Sequence, residues 1–323
     1  MISIVIPSRN RATLVTRALA GIQSQTWSDY EVIVVDDGSD TATRASYTEI
    51  WPTLDARFRL VLLGEAGHRS AGPSVSRNHG IAVSRGDVLA FCDDDDYWCD
   101  NGHLACLAQL FADLPDLDVY IANQRAVDVD GGTKPDWLPL LNARVAGRPQ
   151  LAGGATEVSV QDLCRGGGFG HLNILSLRKS LAQQIQGFWE RVSYEEDRDF
   201  FWRAVDGARR IAFNPRVIAQ HNVPDPRLRA NASTAHSRSE RLLLAVLVCQ
   251  HIAANVRHPA VAALAAQYSG DLLRRLTMLA LESGQRIAAL QFARQALGAR
   301  FSLKWAGYVL MLSTRAMLGG RQA

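Results

Sequence analysis

Strand and helix signals alternate along the first hundred residues, and that order leaves few architectures open to the chain. Residues 2–6 form a short apolar run that stops at Pro7. Residues 13–25 carry Leu14, Ala18, Leu19 and Ile22 at helical spacing. Residues 31–35 are a second strand, rich in β-branched side chains and followed by Asp36-Asp37-Gly38-Ser39; residues 43–50 read as helix and stop before Pro52. A third strand is predicted over 58–63. A helix over 74–84 follows, with Ser70, Gly72 and Pro73 around its start, and then a fourth strand over 87–92. Strands separated by helices need right-handed crossovers and give a parallel sheet. Such sheets bind ligands beyond the carboxyl ends of their strands. Three of those ends are polar here: Ser8-Arg9-Asn10, Asp36-Asp37-Gly38 and Asp93-Asp94-Asp95-Asp96.

The run of four aspartates is the chemically loudest of the three. Like charges in a row at the end of a buried strand repel unless a cation or hydrogen-bond donors gather there. Carboxylates converging on one point suit a hard divalent ion, which commonly carries substrate phosphates as its remaining ligands. The plain alternative is a solvated helix start, where carboxylates are favoured.

Composition narrows the setting. A hydrophobic share of 47% and a charged share of 21% are those of a globular chain, and a net charge of +3 gives no argument for nucleic acid. The five cysteines form no CxxC pair, and their odd number argues against a closed disulfide framework, so a reducing, cytoplasmic setting is expected. The N-terminus reads as a strand rather than a signal peptide. The longest apolar run, residues 242–249, is far shorter than the ~18 residues of a spanning helix.

Beyond residue 100 the signals change. Residues 119–123 read as a strand. Residues 130–170 are rich in Gly and Pro and read as a mobile binding loop. Regular structure resumes over 172–177 and in a charged helix over 195–205. After about residue 239, helices are expected over 242–252, 260–268, 272–281 and 286–297, with a turn at Ser283-Gly284.

Three blocks carry a family resemblance. The first is Ile2-Ser3-Ile4-Val5-Ile6-Pro7-Ser8-Arg9-Asn10-Arg11, with Gln25-Thr26 and Val34-Val35-Asp36-Asp37-Gly38-Ser39. The second is Gly72-Pro73-Ser74-Val75-Ser76-Arg77-Asn78-His79-Gly80, with Arg85-Gly86-Asp87 and Phe91-Cys92-Asp93-Asp94-Asp95-Asp96-Tyr97-Trp98. The third is Gly187-Phe188, with Glu196-Asp197-Arg198-Asp199-Phe200-Phe201-Trp202-Arg203. In order and spacing, over roughly residues 1 to 225, they resemble family 2 glycosyltransferases. The resemblance implies an α/β, Rossmann-like GT-A nucleotide-diphospho-sugar transferase fold with a C-terminal helical appendage. A catalytic domain over 1–235 is expected, with a nucleotide-binding half (1–125) and an acceptor-binding half (126–235), followed by a helical region over 236–323.

The resemblance also implies roles. Asp37 would accept a hydrogen bond from the nucleotide base, with Pro7, Arg9 and Arg77 at the same donor site; a structural pair with the aspartates is an equal alternative for Arg77. The aspartate run corresponds to the family's DxD motif. Asp95 would ligate Mn²⁺ or Mg²⁺; Asp93 or Asp94 would contact the ribose or complete the metal site; His221 is a further candidate ligand. Asp197 would be the general base, with Glu196 second, although both also suit the acidic first turn of a helix. By its place after the glycine-rich stretch, and not by the resemblance, His171 is a candidate to face the acceptor, with a structural role as the alternative. Asp40 departs from the family spacing, because Ser39 and Asp40 are adjacent. The activity implied is inverting transfer from a nucleotide-diphosphate donor, UDP-linked by default, to a saccharide or lipid-linked saccharide in bacterial surface polysaccharide synthesis. Rival readings are a nucleotidyltransferase that makes nucleotide sugars, and a non-catalytic nucleotide-sugar-binding scaffold at a membrane.

The tail adds one expectation. From Ser283 to the end there is no Asp or Glu, whereas Arg286, Arg294, Arg300, Lys304, Arg315 and Arg321 are basic, with Trp305, Tyr308, Leu310, Met311 and Leu312 among them. A basic amphipathic helix of this kind suits peripheral contact with the inner face of a membrane; packing on the catalytic domain or a homodimer interface are the alternatives.

Overall fold

The computed structural model describes residues 1–225, 227–228 and 231–319, with side chains omitted for 232–233 and 315–319. Arg315 and Arg321 of the basic tail therefore lie outside the described side chains. The chain divides into two compact units, Met1–Asp225 and Pro226–Ala323.

The first unit is built on a mixed sheet. Its strands are β1 (Ile2–Ser8), β2 (Tyr30–Asp36), β3 (Phe58–Leu62), β4 (Val88–Phe91), β5 (Tyr97–Trp98), β6 (Leu117–Val127), β7 (Thr133–Lys134), β8 (Thr156–Val158), β9 (Leu175–Arg178) and β10 (Arg210–Asn222). The order is β3-β2-β1-β4-β9-β6-β10-β5, with β7 on β6 and β8 on β10. Strands β3, β2, β1 and β4 are mutually parallel, as their alternation with helices α1 (Ala12–Gln23), α2 (Thr41–Ile50) and α3 (Pro73–Val83) requires. β3 at the edge is part-exposed, whereas the interiors of β1, β2 and β4 are largely apolar and buried on both faces: Ile4, Val5, Ile6 and all of Val32 to Val35 are wholly inaccessible. Gly80 is needed where α3 crosses β1, since a Cβ there would come within 2.4 Å of Val5 Cγ1.

The far half departs from the expected parallel sheet. β9 runs antiparallel to both β4 and β6, and β5 runs antiparallel to β10. Residues 130–170 are also more ordered than expected. They hold β7, α5 (Pro139–Val145), β8 and α6 (Val160–Arg165), the last closed by a reciprocal Ser159/Asp162 cap. The Gly and Pro there serve tight turns between short elements rather than one long mobile loop. Between β5 and β6 lies α4 (His103–Asp113), and α7 (Lys179–Gln184) and α8 (Glu196–Gly207) separate β9 from β10.

Register places the site. Val5 sits opposite Phe91, so Pro7 and Asp93, each two residues further on, come level at one edge. Ser8 sits opposite Asp36, which adds the end of β2. Gln220 sits opposite Tyr97 in the antiparallel pair, and that brings His221 beside Asp96. An aromatic cluster fixes α8 to the sheet: Phe188 and Phe200 stack with centroids 3.9 Å apart, and Phe91 meets both edge-on at 5.6 and 5.7 Å.

The second unit is helical: α9 (Ala232–Ala235), α10 (Arg238–Asn255), α11 (Pro259–Glu282), α12 (Arg286–Ala299) and α13 (Leu303–Gly319). The two helices expected over 260–268 and 272–281 are one. Ser269 and Gly270 do not break it; both are buried, and Gly270 gives the close approach that Arg300 needs. Ser237 and Glu240 cap α10 reciprocally, a device worth about 1 kcal/mol.

Candidate active site

The aspartate run alternates. Asp94 and Asp96 turn inward, with 4% and 1% of their surface exposed, whereas Asp93 and Asp95 are only part-buried. Asp94 accepts from Arg11 Nη1 at 2.9 Å. Burial pushes its carboxyl up to about 7, against the pull of Arg11. The same Arg11 nitrogen reaches Asp95 Oδ2 at 3.2 Å. Asp93 instead meets Arg77 Nη2 at 2.7 Å, and His171 Nε2 lies 3.7 Å away. Burial opposes ionisation of Asp93, but Arg77 and His171 outweigh it and hold the carboxyl below its usual value.

Asp96 is the most heavily engaged. Its Oδ2 accepts from Asn173 Nδ2 and lies 2.8 Å from His221 Nδ1; its Oδ1 accepts from the Asn222 amide at 2.6 Å. Asn222 Nδ2 also donates to the Asp95 carbonyl at 2.6 Å, and Asn173 Oδ1 accepts from the Asp93 amide at 2.8 Å. The expected metal group was Asp93, Asp95 and His221. The ligand atoms that lie together are those of Asp96, His171 and His221, all within 4.8 Å of one another. The change comes from register: β5 and β10 bring His221 to Asp96, while Arg77 takes up Asp93. Because Asp96 is already saturated, it orients His221 through Nδ1 and leaves Nε2 facing away, as carboxylates do behind metal-bound histidines. His171 is pushed down to about 4, first by burial and then by His221, so it is neutral and able to ligate. Burial pulls His221 down, but the Asp96 bond and its acidic surroundings raise it overall. Two imidazoles beside a part-buried aspartate suit a divalent transition ion.

Of the two places expected for Arg77, at the donor or paired with the aspartates, the structure shows the second: its terminal nitrogens are spent on Asp93 and on Glu196 Oε1 at 3.0 Å. It is buried and ties the aspartate run to the start of α8. Glu196 is thereby held in an ion pair. Asp197, the next residue, is part-buried and accepts from the Arg198 amide at 2.8 Å. Burial raises the proton affinity of both carboxyls. Arg203 is structural, bonding Asp199 at 2.6 Å and the Gly187 carbonyl at 2.8 Å.

At the nucleotide end, Asp37 differs from expectation in its present partners. Its carboxylate accepts from Ser70 Oγ and from the amides of Ala71 and Gly72, both at 2.9 Å. Arg9 donates to the Asp37 carbonyl and, at 2.8 Å, to the His68 carbonyl. His68 lies flat over Gly38, where φ is +67° and any Cβ would collide with the imidazole. Pro7 sits part-exposed at the end of β1. Asp40 accepts from the Thr43 amide at 2.8 Å and caps α2, which accounts for its displaced spacing.

Several residues here carried no sequence signal of their own. Arg11, Asn173 and Asn222 are fixed by tertiary contacts; only the adjacency of Asn222 to His221 hinted at a role. Trp137 lies edge-on to His171 and His221 at 6.0 and 5.7 Å and donates through Nε1 to the Phe169 carbonyl at 3.0 Å. Arg198 covers the Phe169 ring at 4.4 Å. These two half-buried aromatics join the histidines to the neighbour of Asp197.

The mixed sheet, with an acidic run at its strand ends and a pair of carboxylates at the start of α8, has the architecture of the GT-A fold. Residues 3–159, just under half of the chain, match the family described as Glycosyl transferase family 2. One relative is the GalNAc(5)-diNAcBac-PP-undecaprenol beta-1,3-glucosyltransferase of Campylobacter jejuni, 32% identical over 108 residues, which are 33% of each chain. Matched segments span about 29 to 62% of the length of the first curated relatives. The fold is shared with Staphylococcus aureus TarS 1–349, solved with UDP-GlcNAc, at a TM-score of 0.65 and 19% identity over 91% of this chain and 81% of that one. It is also shared with the mannosyltransferase PcManGT from Pyrobaculum calidifontis, in complex with GDP-Man and Mn²⁺, at 0.56 and 17% over 97% and 84%.

Proposed function

We propose that the protein is an inverting, metal-dependent glycosyltransferase. It moves a sugar from a nucleoside-diphosphate donor, a UDP-sugar in the first instance, to a hydroxyl acceptor in bacterial surface polysaccharide synthesis. The observation that carries this reading is the division of labour at the start of α8. Glu196 is locked to Arg77, and its neighbour Asp197 stays outside that pair with its proton affinity raised by burial. A carboxylate so placed suits removal of a proton from an acceptor hydroxyl.

The steps follow from the residues. Pro7, Arg9 and Asp37 bind the nucleotide end; the base N–H would replace one of the loop donors now on Asp37. His221, His171 and Asp95 are the groups to hold a divalent ion, Mn²⁺ or Mg²⁺, which when bound would neutralise charge developing on the leaving diphosphate. Asp197 takes the acceptor proton as the acceptor oxygen bonds to the anomeric carbon and the carbon–diphosphate bond breaks. One carboxylate suffices, because no covalent sugar intermediate is formed. Trp137 and Phe169 offer flat apolar faces at the acceptor side. A lipid-linked saccharide, the class named for the Campylobacter relative, would place the reaction at the inner face of a membrane.

Incubation with UDP-, GDP- and dTDP-sugars plus Mn²⁺, with nucleoside diphosphate release as readout, tests the reading. Pyrophosphate release would point to nucleotidyl transfer instead. Nucleotide-sugar binding without turnover for any donor and acceptor offered would leave the non-catalytic scaffold.

A further inference from the structure

Helix α13 is apolar on two opposite sides. Its inner side packs on α12: Trp305 Nε1 donates to the Ala293 carbonyl at 2.9 Å, and Val309 and Leu312 close a small core with Ala293. Its outer side carries Leu303, Gly307 and Leu310, spaced by four and three residues and so on one face. Leu303 is 82% exposed and Leu310 68%, and a Cβ built at Gly307 would meet nothing within 4 Å. Phe301, in the corner just before the helix, is 69% exposed. A helix apolar on both faces is ordinarily buried on both.

This display is rigid. Ser302 accepts from the Trp305 amide at 3.2 Å and caps the helix start. Arg274 lies over the Trp305 ring at 5.2 Å and donates to the Arg300 carbonyl at 3.3 Å. A backbone corner held in this way has little order left to lose on docking, so burial of its apolar side chains outweighs their rotamer cost.

The charge of the two helices selects the occupant. Residues 283–323 hold six Lys and Arg and no Asp or Glu. Arg286, Arg294 and Lys304 are exposed in the same two helices, while Arg300 is engaged by Asp271 at 3.4 Å. No helix among the described residues is long and apolar enough to cross a membrane. We infer that the α12–α13 corner is a docking surface for an anionic lipid bilayer, with Phe301, Leu303 and Leu310 inserted at the level of the headgroups. Interfacial helices combine an apolar face with basic flanks in this way. The inference stands on the surface itself; the glycosyl-transfer reading supplies only a use for it.

Co-sedimentation of the full chain with vesicles tests it. Binding is expected to phosphatidylcholine vesicles that contain phosphatidylglycerol, weakened by salt, and not to phosphatidylcholine alone. The triple variant Phe301→Ser, Leu303→Ser, Leu310→Ser should lower partitioning at least about tenfold, given ~1.5–3 kcal/mol for full burial of each side chain. Arg286→Gln with Arg294→Gln and Lys304→Gln should remove the preference for anionic lipid. Because all six side chains are exposed, thermal melting and donor turnover in solution should not change. Absence of vesicle binding, or binding indifferent to the serine variant, overturns the inference. So does sedimentation velocity showing a dimer that the serine variant dissolves, since a second copy would then cover the patch. Failure of the unaltered chain to bind anionic vesicles while it turns donor over sinks the docking surface alone; vesicle binding by the unaltered chain without turnover sinks the enzymatic reading alone.

Discussion

Asp96→Asn separates a residue that orients a ligand from one that is a ligand. In the native site three donors converge on this carboxylate: Asn173 Nδ2, His221 Nδ1 and the Asn222 amide. An amide at this position keeps one acceptor oxygen and presents an NH₂ where the other stood. If the oxygen stays with Asn222, the NH₂ faces His221 Nδ1, and that nitrogen must become the acceptor. The ring proton then moves to Nε2, where it blocks coordination. Loss of such a supporting carboxylate commonly costs 10–100-fold in metal affinity. At about 1.4 kcal/mol per tenfold, that is roughly 1.4–2.8 kcal/mol. The assay is Mn²⁺ titration by calorimetry, repeated through the Mn²⁺ dependence of donor turnover. The variant should saturate at about 10–100-fold higher Mn²⁺ and recover part of its rate there. Unchanged Mn²⁺ affinity would refute the tautomer argument. So would complete loss of binding, which would make Asp96 itself a ligand.

Further outcomes are expected at the base, in the core and at a buried histidine. Asp197→Asn should lower kcat by about 10²–10⁴ with little effect on melting. Glu196→Gln should destabilise the fold by weakening the buried pair with Arg77; equal kcat losses in both variants would sink the assignment of the base. Since burial raises the Asp197 carboxyl and the base must be ionised, the acid limb of kcat/KM should fall away at a pH above that of an ordinary aspartate, and a limb at the ordinary value would contradict it. Phe200→Ala opens a void in the Phe91–Phe188–Phe200 cluster and should cost about 3–5 kcal/mol by urea denaturation; a cost below about 1 kcal/mol would mean the cluster does not anchor α8. His103 is buried against Trp98 with its folded value pushed down to about 3, by burial first and Arg216 second. The unfolded chain binds the proton that the native one refuses, so this stability is complete above about 6.5 and is lost as pH falls towards about 3. His103→Phe should flatten the stability–pH slope there by up to about 1.4 kcal/mol per pH unit, and an unchanged slope would contradict it.

The sequence by itself determined the parallel half of the sheet, because strand and helix periodicities are local and the Val, Ile and Leu runs at β1, β2 and β4 admit no other burial. It also marked the strand ends and α8 as the places where chemistry gathers, since Asp37, the aspartate run and the Glu196-Asp197 pair are contiguous patterns. Only tertiary structure decided what each carboxylate does. Alternation along the run turned Asp94 and Asp96 inward. The antiparallel register of β5 and β10, set across more than a hundred residues of chain, delivered His221 to Asp96. Arg77 was placed between the part-buried Asp93 and the buried Glu196, because both acids needed a cation. Residues 130–170 looked like loop because short elements joined by glycine turns leave no periodicity long enough to read. The outer face of α13 was hidden for the opposite reason: its apolar spacing is visible in the sequence, but which of two apolar faces meets α12 is a matter of packing.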